Sequence, residues 1–373
     1  MNKLIPLFKV AMNPDIDFEL LATIHSGWIG EGPKVRQFED ELRKRIGNNN
    51  LVALSSGTHG LSLALAMEGI GPGDEVISTP LTCFATNAPI LASGAKIVWA
   101  DIDPYTLNID PYSVEEKIHP GKTKAIIVVH WGGLPCDMEI LHGLSSNYDI
   151  PIIEDAAHAF GSYYGIDPIG TCNYSDYCMF SFQAIKHLNT GDGGALCMNT
   201  LDKAQRAKLL RWYGIDRESK HINMRCEADI GEAGFKYHMN DIAAVIGLSN
   251  LSIVDSNMEK TKENAAYYSS QLSDIPGITL LDDGTTGILR QSSYWLFTIL
   301  VDDLPGFANK MGERGIAVSQ VHARNDKHSC VRDFESNLPG VESIIHRHIS
   351  IPVGWWVDKE DRERIISTIQ EGW

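Results

Sequence analysis

Residues 179–194, MFSFQAIKHLNTGDGG, carry an apolar run that is followed by a single lysine and then by a glycine-rich turn. The apolar, aromatic-bearing start of this segment predicts a buried strand. Lys186 comes just after that strand, and the closing TGDGG allows the chain to turn tightly. A lysine on a loop is usually solvated, so Lys186 alone indicates no function. Its role depends on the residues that the fold places around it.

Strand-like runs alternate with helical patterns over the first half of the chain. Strands this hydrophobic, separated by helices, predict an α/β fold with a mostly parallel central sheet flanked by helices. Ligands of such sheets bind beyond the carboxyl ends of the strands. A helix is predicted for PKVRQFEDELRKRIG (33–47), with Pro33 in the first turn and Gly47 ending it. The strand-like runs are LVAL (51–54), DEVIST (74–79), KIVWADID (96–103), KAIIVVHW (124–131) and IPIIEDA (150–156).

The pattern divides the chain into two domains. Residues 1–250, with the N-terminal segment included, are predicted to form a large ligand-binding domain. A long helical pattern through about residue 270 leads into a smaller α+β domain, residues 251–373. We find no internal repeats and no low-complexity tract in the sequence.

Composition excludes several classes of protein. The chain has 373 residues, 43% hydrophobic and 21% charged, which is ordinary for a globular protein. Its formal net charge of −16 argues against a nucleic-acid partner, because phosphate backbones require a basic face. The seven cysteines form no CxxC pair, so we expect reduced thiols in a cytoplasmic protein and no metal site. No apolar stretch is long enough to span a bilayer, and the N-terminus does not resemble a signal peptide.

Two strand ends carry groups suited to an anion and a cation. SSGTHG (55–60) joins a strand to a helix, where small residues and free N–H groups favour an anion such as a phosphate. The alternative is a plain turn with Thr58 as the helix N-cap. Asp155 ends the apolar run of IIEDAAHA (152–159), where an unpaired carboxylate is costly, so a cationic partner that lowers its pKa is expected. The alternative for Asp155 is a helix cap.

Lys186 and an aromatic residue complete the set. A lysine in a low-dielectric site loses part of its preference for the charged form, and its free amine attacks carbonyl groups. Ser181 lies a few residues before it, where its hydroxyl suits a phosphate. Phe84 opens the helix after STPLTC (78–83) and suits stacking on a flat ring, with core packing as the alternative. A phosphate turn, an aromatic plate, a carboxylate and an amine are the parts needed to hold pyridoxal 5′-phosphate (PLP).

The sequence resembles the sugar aminotransferases of the DegT/DnrJ/EryC1/StrS family, which have the fold-type I aminotransferase architecture. The resemblance implies that Lys186 forms the Schiff base with PLP and that Asp155 pairs with the pyridine nitrogen. It further implies the positions that contact the ring and the phosphate, which are Phe84 and His158 for the ring and Gly57, Thr58, His59 and Ser181 for the phosphate. The segments that carry it are SGWIGEGPKVRQFEDELRKRIG (26–47), SSGTHGLSLAL (55–65), GDEVISTPLTCFAT (73–86), ADIDPYTLNID (100–110), IIEDAAHAFGSYYG (152–165), FSFQAIKHLNTGDGG (180–194), RWYGIDRE (211–218) and GFKYHMNDIAAVIGL (234–248).

The resemblance also implies a homodimer whose active sites are shared between subunits. GFKYHMN (234–240) corresponds to the stretch that reaches the neighbouring site. Many members carry asparagine at the position of Lys236, so the phosphate contact falls to Lys236, His238 or Asn240. Substrate contacts are expected from Trp28, His322 and Arg324, with ion pairing or core packing as the alternative for each.

The implied reaction is amino transfer to a keto group of a nucleotide-linked sugar, with glutamate or glutamine as donor. A 4-keto-6-deoxyhexose giving a 4-amino sugar is the expected substrate, as in the deoxyamino sugars of lipopolysaccharide O-antigens, and amination at C3 stays open. Related 3-dehydratases carry histidine at the lysine position, which makes the neighbouring His187 an alternative to exclude. The alternative from another class is a non-catalytic regulator that keeps the PLP fold.

Overall fold

The computed structural model describes residues 3–217, 229–282 and 289–373. Its helices are α1 Asp17–His25, α2 Pro33–Ile46, α3 Gly57–Met67, α4 Phe84–Ala92, α5 Pro111–Lys117, α6 Met138–Tyr148, α7 Leu201–Leu210, α8 Asp241–Leu272, α9 Leu304–Glu313, α10 Pro339–Ile344 and α11 Lys359–Gln370. Its strands are β1 Leu51–Leu54, β2 Glu75–Ser78, β3 Lys96–Trp99, β4 Thr123–Val129, β5 Ile152–Asp155, β6 Tyr163–Tyr164, β7 Asp167–Pro168, β8 Tyr177–Ser181, β9 Gly194–Met198, β10 Ile278–Leu280, β11 Arg290–Gln291, β12 Phe297–Val301 and β13 His348–Ile351.

The large sheet has seven strands in the order β1-β9-β8-β5-β4-β2-β3. Strands β2, β3, β4, β5 and β8 pair in parallel, and β9 runs antiparallel to both β8 and β1. Helices cover the sheet on both faces, which is why strands such as β4 and β5 are buried almost throughout. The predicted mostly parallel sheet flanked by helices is confirmed.

Helix α2 shows why the local sequence signals work. Pro33 occupies the first turn, and Gly47 closes the helix with a left-handed φ of 78°, which glycine adopts without steric cost. Val35, Phe38 and Leu42 recur at helical spacing and are fully buried in the large core. The sequence therefore fixes both ends of this helix and its buried face.

The small domain has a three-stranded antiparallel sheet in the order β10-β12-β13. The predicted domain boundary at residue 250 falls inside α8, because this helix serves both domains. Val254 and Met258 lie in the large core, whereas Tyr268 and Leu272 lie in the small one. Ile5 pairs with Ile316 and is buried in the small core. The N-terminal segment is therefore shared: Ile5 packs with the small domain, whereas Phe8 packs against the large core.

Two further sequence expectations concern chemistry and location. Cys83, Cys136, Cys172, Cys178, Cys197 and Cys330 are free thiols. Cys226 lies outside the described residues. Among the helices of the described ranges, none combines the length and the apolar character needed to cross a membrane.

Candidate active site

A cavity of about 390 Å³ opens at the carboxyl ends of β4, β5 and β8. The last residue of each of these strands, Val129, Asp155 and Ser181, lines it. This is where the topology of a parallel sheet places ligands. The cavity brings together the sequence-predicted residues Gly57, Thr58, Asp155, His158, Ser181, Lys186 and His322.

Lys186 lies on the loop that follows β8, five positions beyond Ser181. Its Nζ lies 3.6 Å from the centroid of the Trp295 ring. Burial lowers the pKa of Lys186 to about 8, although the nearby Asp155 carboxylate acts in the opposite direction. A substantial fraction of this amine is therefore neutral near pH 7 to 8, which an ordinary surface lysine does not achieve.

His187 has a different position from its neighbour. It is not among the described residues that line the large cavity; it borders a separate, much smaller one on the other side of the loop. Burial lowers the pKa of His187 to about 4. Of the two adjacent residues, only Lys186 presents its side chain to the large cavity.

Asp155 is held by two hydrogen bonds. The Thr86 hydroxyl donates to Oδ2 over 2.7 Å, and the backbone N–H of Ala157 donates to Oδ1 over 3.1 Å. Burial nevertheless raises the pKa of Asp155, because these bonds and the Lys186 amine do not offset the loss of hydration. The sequence predicted a lowered pKa produced by a cationic ligand. In the protein alone the pKa of Asp155 is raised. A protonated ring nitrogen beside the carboxylate would lower it again.

The turn before α3 forms a cradle of small residues. A methyl group added at Gly57 would lie 2.8 Å from Met179 Sδ and 3.0 Å from Ser181 Cβ. The N-cap of α3 is Ser56, whose hydroxyl accepts from the His59 N–H, so the alternative role of Thr58 as N-cap is wrong. The first N–H groups of α3 and the Ser181 hydroxyl together suit an anion.

His59 contributes only its backbone to this turn. Its ring stacks on Tyr237 at 4.0 Å, and Nδ1 hydrogen-bonds to Ser55 Oγ over 2.8 Å. The His59 side chain is not among the described residues that line the cavity. This agrees with the expectation that the phosphate turn acts through main-chain groups.

His158 lies in a column of parallel rings on one side of the cavity. Its ring stacks on Trp295 at 3.8 Å and lies parallel to His322 at 5.8 Å. Burial, together with the charge of Lys186, lowers the pKa of His158 well below its ordinary value and that of His322 to about 4. Both imidazoles are therefore neutral. His158 Nδ1 and His322 Nε2 are buried and have no hydrogen-bond partner within the described part of the chain.

Sequence reasoning missed three residues of the site. Trp295 contacts both Lys186 and His158, and Phe8 stacks on Trp295 at 4.9 Å. Thr86, the third residue of α4, donates a hydrogen bond to Asp155. Phe8 and Trp295 come from opposite ends of the chain and carry no motif. Thr86 was detectable, since it lies two residues after Phe84 in a quoted segment.

Phe84, Trp28 and Lys236 do not line the cavity that the described residues form. Phe84 is not a lining residue, and its ring packs edge-on against His328 at 5.3 Å. Trp28 is 60% exposed, and Lys236 is exposed in a short pairing with Trp212. Their predicted contacts stay predictions.

The guanidinium of Arg324 is hydrogen-bonded to two carboxylates. Its guanidinium donates two parallel hydrogen bonds of 2.8 Å to Asp326 and a third, of 2.6 Å, to Glu342. Its side chain is only 10% exposed and does not line the cavity. This geometry favours the ion-pairing alternative over the predicted substrate contact.

The cavity fits PLP. The first N–H groups of α3 at Gly57 suit a phosphate, and the desolvated Asp155 suits a cation such as a protonated pyridine nitrogen. The open Nδ1 of His158 offers a hydrogen bond beside the ring, and the amine of Lys186 is nucleophilic.

Comparisons with known proteins agree with this geometry. The model of the DegT/DnrJ/EryC1/StrS aminotransferase family matches residues 11–370. The chain is 36% identical to the UDP-4-amino-4-deoxy-L-arabinose–oxoglutarate aminotransferase of Shewanella sediminis, with 99% of this chain and 98% of that protein covered.

Two solved structures are similar along the whole chain. The crystal structure of AtS13 from Actinomadura melliaura superposes with a TM-score of 0.94 at 43% identity, covering 100% of each chain. The sugar aminotransferase CalS13 from Micromonospora echinospora superposes with a TM-score of 0.93 at 40% identity, covering 99% of this chain and 100% of that one. Other solved relatives are recorded in PLP and PMP forms. The chain therefore belongs to the DegT/DnrJ/EryC1/StrS aminotransferase family and is a PLP-dependent sugar aminotransferase of the fold-type I architecture.

Proposed function

We propose that this enzyme transfers an amino group to C4 of a nucleotide-linked 4-keto-6-deoxyhexose, with glutamate or glutamine as donor. The observation that carries the proposal is the partly neutral amine of Lys186 beside a desolvated carboxylate in one cavity. The name of the Shewanella relative specifies a sugar aminated at C4, a UDP carrier and oxoglutarate, which supports the C4 position and a glutamate donor. That relative acts on a pentose, so a 4-keto pentose belongs among the substrates tested.

Each residue of the site has a separate role toward PLP, which follows from its charge or its hydrogen-bonding groups. When bound, PLP supplies an electron sink for the negative charge that develops on the carbon next to the transferred nitrogen. Asp155 holds the proton on the ring nitrogen, and the Gly57 turn with Ser181 binds the phosphate. Lys186 Nζ, with a pKa of about 8, removes and returns the proton at the reacting carbon, since a group near neutrality serves as acid and as base.

His322 is the proposed contact with the sugar. Its Nε2 is buried beside the cavity and is free to bond to a hydroxyl or keto oxygen. Because its pKa of about 4 keeps the ring neutral, His322 bonds without adding a positive charge next to Lys186. A neutral site favours a sugar ring over a second anionic group.

We also propose a homodimer with shared active sites, located in the cytoplasm. Of the three candidates for the partner's phosphate contact, Asn240 caps α8 and His238 packs 3.6 Å from Trp212, which leaves the exposed Lys236 with a side chain able to reach out. Phe18 and Trp28 are 77% and 60% exposed, and a second subunit would cover such large apolar side chains.

Complementation tests the shared site. Lys186→Ala and Lys236→Ala each inactivate one half of a shared site, so mixing the two inactive variants under exchange conditions restores sites that carry both lysines. We expect recovery of about a quarter of wild-type activity per site, from the statistics of random pairing. One variant carries an affinity tag, so that co-purification of the untagged variant shows that subunits have exchanged. A mixture that stays inactive after such exchange contradicts the role of Lys236.

The substrate is tested with a panel of sugars. The enzyme, PLP and glutamate or glutamine are incubated with GDP-, dTDP- and UDP-linked 4-keto-6-deoxyhexoses, their 3-keto isomers and a 4-keto pentose, and products are identified by mass spectrometry and NMR. Lys186→Ala is the control. Nitrogen at C4 supports the proposal, nitrogen at C3 moves the site of amination, and loss of water without nitrogen indicates a dehydratase. A regulator would leave the spectrum of bound PLP unchanged by glutamate.

A further inference from the structure

A chain of hydroxyl groups ends on Asp155. Thr86 Oγ1 lies 2.7 Å from Asp155 Oδ2, and Thr82 Oγ1 lies 2.8 Å from Thr86 Oγ1. Thr82 and Thr86 are each 1% exposed, and Asp155 is 4% exposed. Thr86 lies in the first turn of α4 and Thr82 just before it, and both line the cavity.

The direction of the bonds follows from the chemistry. An ionised carboxylate only accepts, so Thr86 must donate its single hydroxyl proton to Asp155. The hydrogen bond between the threonines therefore has Thr82 as donor and Thr86 as acceptor. Each hydroxyl polarises the next, which strengthens the bond that reaches the carboxylate.

The same bonds fix the plane of the carboxylate. Thr86 holds Oδ2 and the Ala157 N–H holds Oδ1, so rotation about the Cβ–Cγ bond of Asp155 would break one or both. The remaining lone pairs of the two oxygens are then left for a ligand in the cavity, which Asp155 lines. We propose that Thr86, supported by Thr82, is a positioning residue that aims Asp155 at the ring nitrogen of bound PLP.

Thr82 connects this chain to the loop that carries His322. The buried side chain of Asn325 donates to the Thr82 carbonyl over 2.8 Å, and its Oδ1 accepts from Asn87 over 2.8 Å. The backbone N–H of Asn325 donates to Pro80 O over 2.7 Å. These bonds hold the segment before α4 in place, so the position of Thr82 depends on Asn325.

The test compares PLP with its deaza analogue, in which a C–H group replaces the ring nitrogen. Dissociation constants of both for the apoenzyme are measured with wild type, Thr86→Val and Thr86→Ser. Valine keeps the volume and removes the hydroxyl, whereas serine keeps the hydroxyl. We expect Thr86→Val to weaken PLP binding about tenfold, the worth of one hydrogen bond to a charged group, and to leave binding of the analogue within about twofold. Thr86→Ser is expected to match wild type.

A second variant and a spectroscopic signal guard against a folding defect. Thr82→Val removes the second hydroxyl, which does not touch Asp155, and is expected to weaken PLP binding by about threefold with the analogue unaffected. With ¹⁵N-labelled PLP, the ring-nitrogen shift of the Thr86→Val complex moves toward the unprotonated value. Equal weakening of PLP and the analogue shows a merely structural role, and unchanged binding of PLP shows no role; either result overturns the proposal.

Discussion

Gly57→Ala tests the cradle at the start of α3. The added methyl group would lie 2.8 Å from Met179 Sδ, 3.0 Å from Ser181 Cβ and 3.2 Å from Ser181 Cα. Met179 and Ser181 belong to β8, which is hydrogen-bonded on both sides in the middle of the large sheet, so the strand cannot retreat. The start of α3 must move instead, away from the Ser181 hydroxyl.

The magnitude follows from this geometry. Forcing one methyl group into a packed interior costs about 1–3 kcal/mol, and for a chain of this length we expect the Tm to fall by about 1–4 °C. Because the turn moves away from Ser181, the dissociation constant for PLP is expected to rise about tenfold or more, for the loss of at least one charge-assisted hydrogen bond. Calorimetry of the apoenzyme and a spectroscopic titration with PLP measure the two quantities separately.

Gly143→Ala is the matched control. Gly143 lies inside α6, and a methyl group there would have nothing within 4 Å. This substitution is expected to leave PLP binding unchanged and to stabilise the protein by up to about 1 kcal/mol, because alanine favours helix. Wild-type PLP affinity in Gly57→Ala would refute the assignment of this turn to the phosphate.

Three further predictions concern other parts of the site. The rate at which the Lys186 amine of the apoenzyme reacts with an acylating reagent should rise through a midpoint near pH 8 instead of near 10.5, because burial favours the neutral amine; a midpoint above pH 10, measured by peptide mass spectrometry, contradicts the lowered pKa. Trp295→Leu should slow the half-reaction with glutamate about tenfold, measured by stopped-flow absorbance, because the aromatic face of Trp295 contacts the Lys186 amine. Trp295→Phe keeps an aromatic face and should slow the same half-reaction by less than about threefold. Equal rates for the two variants would argue against that contact. Arg324→Ala should cost about 3 kcal/mol of stability, with an unchanged KM for the sugar, because buried Asp326 loses both hydrogen bonds from the guanidinium and keeps only the exposed Lys327 Nζ at 3.7 Å. Glu342→Ala, at the exposed end of the same cluster, should cost less than about 1 kcal/mol. A raised KM at unchanged Tm would restore Arg324 as a substrate contact.

The parts of the site that were predictable from sequence are those made by local chain geometry. Asp155 and Ser181 end apolar strands, and Gly57 starts a helix after a strand, so their position at one edge of the sheet follows from topology. The position of Lys186 at the same edge was predictable because it comes only five residues after the end of β8. The alternation of runs also gave the order of strands and helices in the first half of the chain.

The remaining contacts depend on packing between distant segments. Trp295 contacts Lys186 although the two residues are 109 positions apart in the sequence, and no local pattern predicts that contact. Arg324 has the charge expected of a phosphate contact, but its guanidinium donates two hydrogen bonds to the carboxylate of Asp326, two residues later. Phe84 lies at the start of α4 and its ring packs edge-on against His328, so its contact with the cofactor ring stays a prediction. Such outcomes depend on side-chain orientation, which residue type alone does not specify.

Helix α8 restricts how the enzyme can open and close. Its 32 residues make a rod about 48 Å long, at 1.5 Å per residue, and its two halves are embedded in different cores. A rod that is shared in this way transmits rotation directly, so the cores cannot bend toward each other around its middle. Separate expression of either half would therefore strip the apolar side of α8 that the other half covers.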